Sequence, residues 1–220
     1  MKTLSLLLAL IYKDLKVEVR ERVDFYVKIG FTLAAGILAS AAASYSQYPG
    51  EVLAGTMIAF ALFLALFESF AGFIREALSG TLDGLRSSPV ESWILILAKS
   101  TYSYIFLFSQ LMLFSIIVKV FTIGLVVAWT PMLLWAGGVS LFLASVSAFV
   151  SASLSFGEAR TGSVAFVVLV LSIPYLRVTI DPLITAFSGA HPPIDSLTSI
   201  WLGGASFLGF ALVLSSAILD

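Results

Sequence analysis

The feature that most constrains the fold is a series of six stretches of about 20 residues in which apolar side chains follow one another almost without charges. A helix needs such a stretch to cross the roughly 30 Å hydrocarbon core of a bilayer. Hydrophobic residues make up 60% of the chain and charged residues 11%, whereas a soluble domain has about 25% charged residues. A small soluble domain has too much surface to hide so many apolar side chains. The sequence therefore predicts an all-α, polytopic membrane protein.

These stretches predict six transmembrane helices within a single domain that covers residues 1–220. The spans are expected at about 27–45, 52–73, 93–118, 131–155, 162–180 and 196–219. We expect residues 119–131, which are apolar but contain Gly124, to form a short interfacial or re-entrant loop, and residues 181–195 to form a polar loop. Thr130 and Pro131 have the pattern of an N-cap followed by proline at the first helical position.

Residues 4–24 combine a helical period of apolar side chains with many charges. The apolar positions are Leu4, Leu7, Leu8, Ile11, Leu15 and Val19. Glu18 and Arg22 are spaced as a favourable i,i+4 pair. The pattern predicts an amphipathic interfacial helix that lies along the membrane surface with its basic side towards the headgroups. A solvated helix packed on protein is the alternative.

Lysine and arginine are distributed unevenly between the predicted loops. With the N-terminus inside, ten of the twelve basic residues lie on the cytoplasmic side, and only Lys119 and Arg177 lie on the other. The positive-inside rule then places both termini and the loops 74–92 and 156–161 in the cytoplasm. We expect a multi-pass protein of the plasma membrane, with the lipid bilayer as its surroundings.

The sequence lacks the motifs of common catalytic sites. It contains no GxxxxGK(S/T) phosphate-binding loop, no HExxH zinc motif, no nucleophile elbow and no dinucleotide-binding glycine pattern. It has no cysteine and a single histidine, His191, which argues against a metal site built from these ligands. We therefore expect a chain that is not an enzyme, with no catalytic residue, metal site, directly bound cofactor or nucleic-acid partner.

Four residues inside the predicted spans are candidates for a pathway or a gate. Glu68 is the one carboxylate clearly within a span, where a charge is costly and suggests function, although it could also reach the interface or pair with Lys99. Ser147 and Ser151 share a stripe of the fourth span, which either lines a polar pathway or serves helix packing. Pro174 is either a gating kink or a tolerated break near the outer end of the fifth span.

The first large cytoplasmic loop, residues 76–91, contains residues that end and restart helices. Gly80 is suited to the C-cap of the second span, and Thr81 to the start of a short helical turn. Ser88-Pro89-Val90-Glu91 fits a capping box with proline at the first helical position of the third span. We expect a structured loop that could transmit force from a partner, and a capped connector without a partner is the alternative.

The same loop contains a pattern shared with a known superfamily. The pattern consists of Glu76-x-x-x-Gly80-Thr81-Leu82-Asp83, then Ser88-Pro89, and then Lys99 near the start of the next span. It resembles the E-x-x-x-G-(S/T)-L-(D/E)…SP…K signature of type-2 ABC exporter permeases.

Within that superfamily, the chain most resembles the heme exporter protein B family, the permease of cytochrome c maturation. Its length and charged N-terminal helix are similar, and so is the segment from Arg160-Thr161-Gly162 to Ile173-Pro174. The chain departs from the family pattern at 77–79, where acidic residues are usual, and at Ser172, where a proline is frequent.

The resemblance implies that a separate ABC ATPase subunit binds ATP and docks on the loop 76–91. The N-terminal helix would be the elbow that follows the ATPase, and Glu76 would orient the coupling helix. The residues assigned to ATPase coupling are Glu76, Gly80, Thr81, Leu82, Asp83, Leu85 and Pro89.

The resemblance also implies export or release of heme, with a homodimer or a sister permease forming the pathway and other cytochrome c maturation proteins as further partners. His191 would then be either an outer heme ligand or an exposed loop residue. The alternatives are an exporter permease of this type for a lipid, a drug or a polysaccharide, a secondary transporter, and a membrane scaffold.

Overall fold

The computed structural model describes residues 2–20, 22–78, 80–81, 84, 90–155 and 161–219. Every regular element within these ranges is a helix. The elements are α1 (Lys2–Arg20), α2 (Arg22–Ser44), α3 (Pro49–Ser69) with a π-helical turn (Phe70–Ile74), α4 (Arg75–Leu78), α5 (Ser92–Phe121), α6 (Trp129–Ser155), α7 (Thr161–Val178), α8 (Ile180–Phe187), α9 (Ile194–Val213) and α10 (Ser215–Leu219). The all-α prediction is therefore confirmed.

Several of these helices are long and apolar enough to cross a membrane. Within the described residues there are five such helices, or six if the bent pair α7–α8 is counted as one span. A helix rises 1.5 Å per residue, so about 20 residues cross the apolar core. The chain thus has the helices of a multi-pass membrane protein.

Helix α6 lies at the centre of the bundle, in contact with α3, α5, α7, α8 and α9. Its small residues permit this, because they let neighbouring helix backbones approach closely. A Cβ atom on Gly138 would lie 2.6 Å from Ile200 of α9, and one on Gly137 would lie 2.7 Å from Trp201. The α6–α9 contact therefore depends on both glycines.

The fifth apolar stretch forms a bent pair of helices, so the expectation of a polar loop at 181–195 is wrong for 181–187, while residues 188–193 are non-helical. Helix α7 ends at Val178, and α8 follows at an angle of 56°. The Trp135 indole donates a hydrogen bond to the carbonyl of Thr179 at the bend (2.9 Å). Pro182 lies in the first turn of α8, where proline is tolerated, and the helix buries Leu183 and Phe187. Pro174 lies before the bend, inside α7.

Two helix starts also differ from expectation. Helix α5 begins at Ser92, after an extended Glu91 that makes no side-chain cap, so Glu91 is not the third helical residue that the capping box predicts. Helix α6 begins at Trp129, which puts Thr130 inside the first turn rather than at the N-cap. Between these helices, residues 122–128 are non-helical, with Gly124 at φ 79°.

Candidate functional site

Helix α1 turns an acidic face towards the rest of the protein. Asp14 and Glu18 lie one turn apart on the same face as Ile11, and all three are buried. Leu4, Leu8 and Tyr12 form an exposed apolar face, and Lys16 and Arg20 are exposed as well. The buried face of α1 is charged and packs on protein, and the location of this helix at a membrane surface stays a prediction.

The first ion-pair cluster surrounds Lys28, at the beginning of the apolar part of α2. Its ammonium lies 2.6 Å from Glu18 Oε1 and 2.9 Å from Glu68 Oε1. Arg75 Nη2 lies 3.4 Å from the other oxygen of Glu18. Pairing of Glu68 was an open alternative at the level of sequence, but its partner is Lys28 and not Lys99. The cluster joins α1, α2, the end of α3 and α4.

The second cluster surrounds Glu76, at the beginning of the sequence pattern in the loop. Glu76 Oε1 lies 2.8 Å from Lys13 Nζ and 3.0 Å from Lys99 Nζ. Lys99 also lies 3.0 Å from Asp14, and Lys13 lies 3.4 Å from the same residue. This cluster joins α1, α4 and α5, so both clusters fasten α1 to the segment that leads into the loop.

Among the residues that the structure describes, each cluster contains two cations and two carboxylates, so these charges balance. Only 1% of Glu68 and 2% of Glu18 are exposed. Removing charges from water costs several kcal/mol per ion, and close pairing offsets that cost. Lys28 gains a further contact, since its ammonium lies 4.2 Å from the centre of the Phe106 ring. Removing one partner would leave a buried charge uncompensated.

The clusters also change the titration of α1. Burial disfavours the ionised form of Glu18, but the hydrogen bond and charge of Lys28 outweigh it and lower the pKa of Glu18 below its usual 4.5. Burial likewise opposes the charge of Lys13, but hydrogen bonds and charges from Glu76 and Asp14 raise the pKa of Lys13 above its usual 10.5. Both shifts favour the charged pairs.

Gly80 ends the helical segment that contains Glu76, as the sequence predicts. Its φ is 70°, a conformation that glycine adopts without a steric penalty. The N–H of Thr81 donates to the carbonyl of Glu76 (3.0 Å), and the N–H of Gly80 donates to that of Ala77 (3.2 Å). These two bonds define a Schellman motif. Glu76 thus holds the helix end through its side chain and its carbonyl.

Helix α3 is interrupted at Gly72, just before α4. Gly72 has φ −74° and ψ −129°, which is not helical. The N–H of Phe73 donates to the hydroxyl of Ser151 on α6 (2.8 Å). One turn earlier on α6, the hydroxyl of Ser147 donates to the carbonyl of Ala65 (2.9 Å). The hydroxyls of both candidate serines therefore make contacts between helices, and a pathway role for them stays a prediction.

The structure says little about the remaining candidate residues. Leu82, Asp83, Leu85 and Pro89 lie outside the described residues. His191 is exposed, and the described part of the chain contains no group of three or more His, Cys, Asp or Glu arranged to hold a metal ion.

Sequence reasoning missed the partners of Glu68 and Glu76. Two signals could have identified them. Lys28 stands alone among apolar residues, and a basic residue in such a place needs an acidic partner. Ile11, Asp14 and Glu18 share one helical face, which shows that the acidic residues of α1 follow the buried side.

The chain matches no protein-family model, and a search of curated proteins finds no match. Evidence for function comes from the residues themselves and their geometry.

Proposed function

We propose that this chain is the membrane permease subunit of an ABC exporter, driven by an ATPase on a separate chain. The observation that carries the proposal is the contact between Glu76 and Lys99. Both belong to the sequence pattern that resembles the permease signature, and although they are 23 residues apart, their side chains lie 3.0 Å apart. A third residue of the pattern, Gly80, has the positive φ that a helix-ending glycine needs.

The contacts of Glu76 suit a site that receives force. The loop beyond Gly80 would dock on the ATPase at the cytoplasmic face. Displacement of the loop would pull on Glu76, which α1 and α5 hold through Lys13 and Lys99. Because charge-assisted bonds are stronger than neutral ones, the displacement would pass to both helices.

Helix α1 fits the role of an elbow helix in such a permease. Its acidic face is paired with basic residues of α2, α4 and α5, and its opposite face exposes Leu4, Leu8 and Tyr12. An exposed apolar face on a helix rich in basic residues favours the surface of a membrane. The helix would then slide along the headgroups as the loop moves.

The substrate proposed is heme, exported or released for cytochrome c assembly. This step rests on the resemblance to the heme exporter protein B family over the segment 160–174 and the N-terminal helix. A type-2 exporter permease for a lipid, a drug or a polysaccharide is the alternative. A second permease copy, or a sister permease, would complete the pathway.

The test of ATPase docking is co-purification with the small P-loop ATPase that the proposal expects to be encoded beside this chain. Asp83→Lys reverses a charge in the proposed docking loop and should reduce ATPase recovery at least tenfold. Asp195→Lys is the matched control, since this exposed aspartate lies in the first turn of α9, and it should leave recovery unchanged. Equal recovery with both variants would contradict docking on this loop.

The substrate is tested separately in a strain that lacks the gene. Loss of holo-cytochrome c, with the apoprotein still made, supports the heme assignment. Normal levels of holo-cytochrome c would contradict it and would leave the permease proposal in place for another substrate.

A further inference from the structure

We propose that Ser151 is a positioning residue that holds a hinge at Gly72, about which α4 and α1 move as one unit relative to the bundle. The role of this motion rests on the proposed function, because the part that moves carries the loop proposed to dock on the ATPase. The hinge itself rests on the geometry of three helices.

The first observation is the shape of the interruption. Residues Phe70–Ile74 form a π-helical turn, and Gly72 leaves helical geometry altogether. Sharp breaks in helices occur at such turns and at glycines, and π-helical turns are frequent at functional sites. An 18-residue window within the stretch Pro49–Ala77 has a mean hydropathy of 2.2, high enough for a single span, so its apolar character does not require a break.

The second observation is that Ser151 occupies the space beside the break. A Cβ atom on Gly72 would lie 2.9 Å from the Ser151 hydroxyl and 3.4 Å from its Cβ. The hydroxyl accepts the hydrogen bond of Phe73, the residue after the break. A glycine in α3 and a serine in α6 thus fit together at one point, and each requires the other to be small.

The third observation is that α6 holds α3 on both sides of the interruption. Ser147 bonds to Ala65, before the break, and Ser151 bonds to Phe73, after it. The two serines lie one turn apart on one face of α6. Helix α6 is central to the bundle, so it provides a fixed support on which the second part of α3 can turn.

The fourth observation is that ion pairs join α4, which follows the break, to α1. Arg75 pairs with Glu18 and Glu76 pairs with Lys13, which ties α4 to α1. Arg75 and Glu76 lie only three and four residues after Gly72. A rotation at Gly72 would therefore carry α4, α1 and the loop together, while Lys28 and Lys99 limit its extent through Glu18 and Glu76.

The hinge can be removed by design. In the double variant Gly72→Ala/Ser151→Ala, the new methyl group meets a Cβ at about 3.4 Å, an ordinary contact. Alanine also favours continuous helix over glycine. The variant should fold and bind the ATPase, because no docking residue is changed, but it should lose the turning motion.

The matched control is Gly55→Ala/Ser145→Ala, with the same two changes on the same two helices. A Cβ on Gly55 meets nothing within 4 Å. The Ser145 hydroxyl bonds only within α6, to the carbonyl of Leu141 among the contacts described. This variant keeps the hinge.

The experiment measures the distance between spin labels by pulsed electron resonance. The chain has no cysteine, so Leu8→Cys on α1 and Leu202→Cys on α9, both exposed, give one labelled pair per chain, and dilution with unlabelled chains keeps one labelled chain in each nanodisc. In nanodiscs with no ATPase present, the unmodified hinge and the control should give a broad or two-peaked distance distribution. The hinge-free variant should give a narrower single peak. Equal distributions in all three would overturn the hinge.

Adding the ATPase with a non-hydrolysable ATP analogue separates this inference from the proposed function. The distribution should shift by several ångströms in the control and stay fixed in the hinge-free variant, while both bind the ATPase equally. An equal shift in both would overturn the hinge. Failure of the ATPase to bind any of the proteins would overturn the proposed function, and the measurement without ATPase would still decide the hinge.

Discussion

The ammonium of Lys28 lies 2.9 Å from the carboxylate of Glu68, with 1% of Glu68 exposed. The same ammonium lies 2.6 Å from Glu18 on α1. One lysine thus joins a carboxylate deep in the bundle to a carboxylate on the N-terminal helix. Because burial of unpaired charge is costly, the stability of the bundle and the position of α1 depend on this lysine.

Replacing Lys28 alone should destabilise the protein strongly. Lys28→Met leaves Glu68 without its cation and should cost about 3–5 kcal/mol. Lys28→Met/Glu68→Met removes both charges and should be more stable than Lys28→Met alone, since Glu18 keeps Arg75. Thermal unfolding in detergent measures both. If the losses of stability in Lys28→Met and in the single variant Glu68→Met add up in the double variant, the pair is not coupled.

Neutralising Glu76 should loosen α1. Glu76→Gln weakens the bonds to Lys13 and Lys99, each a charge-assisted contact worth about 1.5–3 kcal/mol. A cysteine introduced at Ile11, which is buried, should then react with a maleimide about tenfold faster or more. A cysteine at the exposed Leu4 is the control and should react equally fast in both backgrounds. Unchanged protection at position 11 would show that Glu76 does not hold the helix.

The position of α1 should depend on pH through Glu18. The pKa of this carboxyl is lowered in the folded protein, so its stabilising effect is complete above its usual 4.5 and is lost as the pH falls through the folded value. Burial opposes that shift, but the contacts of Lys28, Tyr102 and Arg75 with the carboxylate outweigh it and set its direction. The temperature at the midpoint of unfolding should therefore decrease as the pH is lowered below about 4.5. Glu18→Gln should make this decrease smaller. An equally steep fall in the variant would assign the effect to other carboxylates.

Gly80→Ala should weaken the end of the segment that leads into the loop. A residue with a Cβ pays roughly 1–2 kcal/mol in the left-handed conformation, which Gly80 adopts at φ 70°. Gly55→Ala in α3 is the control and should be neutral or stabilising, because nothing lies near the added methyl group. Circular dichroism during thermal unfolding compares the two. Equal stability of both variants would contradict the Schellman motif at Gly80.

The helical fold could be predicted from the sequence because lipid imposes the simple rule that spanning segments are apolar and helical. The rule failed at 181–187, where Asp181 and Pro182 have the composition of a loop although Leu183 and Phe187 pack as one face of a helix. Local composition cannot reveal that burial, because it depends on which helices lie nearby.

The candidate site was predictable only in part. Gly80 followed from its chemistry, since few other residues end a helix in this way. The partners of Glu76 and Glu68 did not follow, because Lys13 and Lys28 approach them from helices that are distant in sequence. The fit between Gly72 and Ser151 did not follow either, because the two residues are distant in sequence. A serine on an apolar helix mostly serves packing, so Ser151 alone gave no sign of the fit.

The most direct test of the proposed coupling is site-specific crosslinking to the ATPase in the native membrane. A photo-reactive benzoylphenylalanine at Gly84, an exposed residue of the loop, should crosslink to the ATPase. Benzoylphenylalanine in place of Ile123, which is 99% exposed in the loop between α5 and α6, should give no crosslink. That loop would face the other side of the membrane. A crosslink from position 123, or none from position 84, would contradict the account.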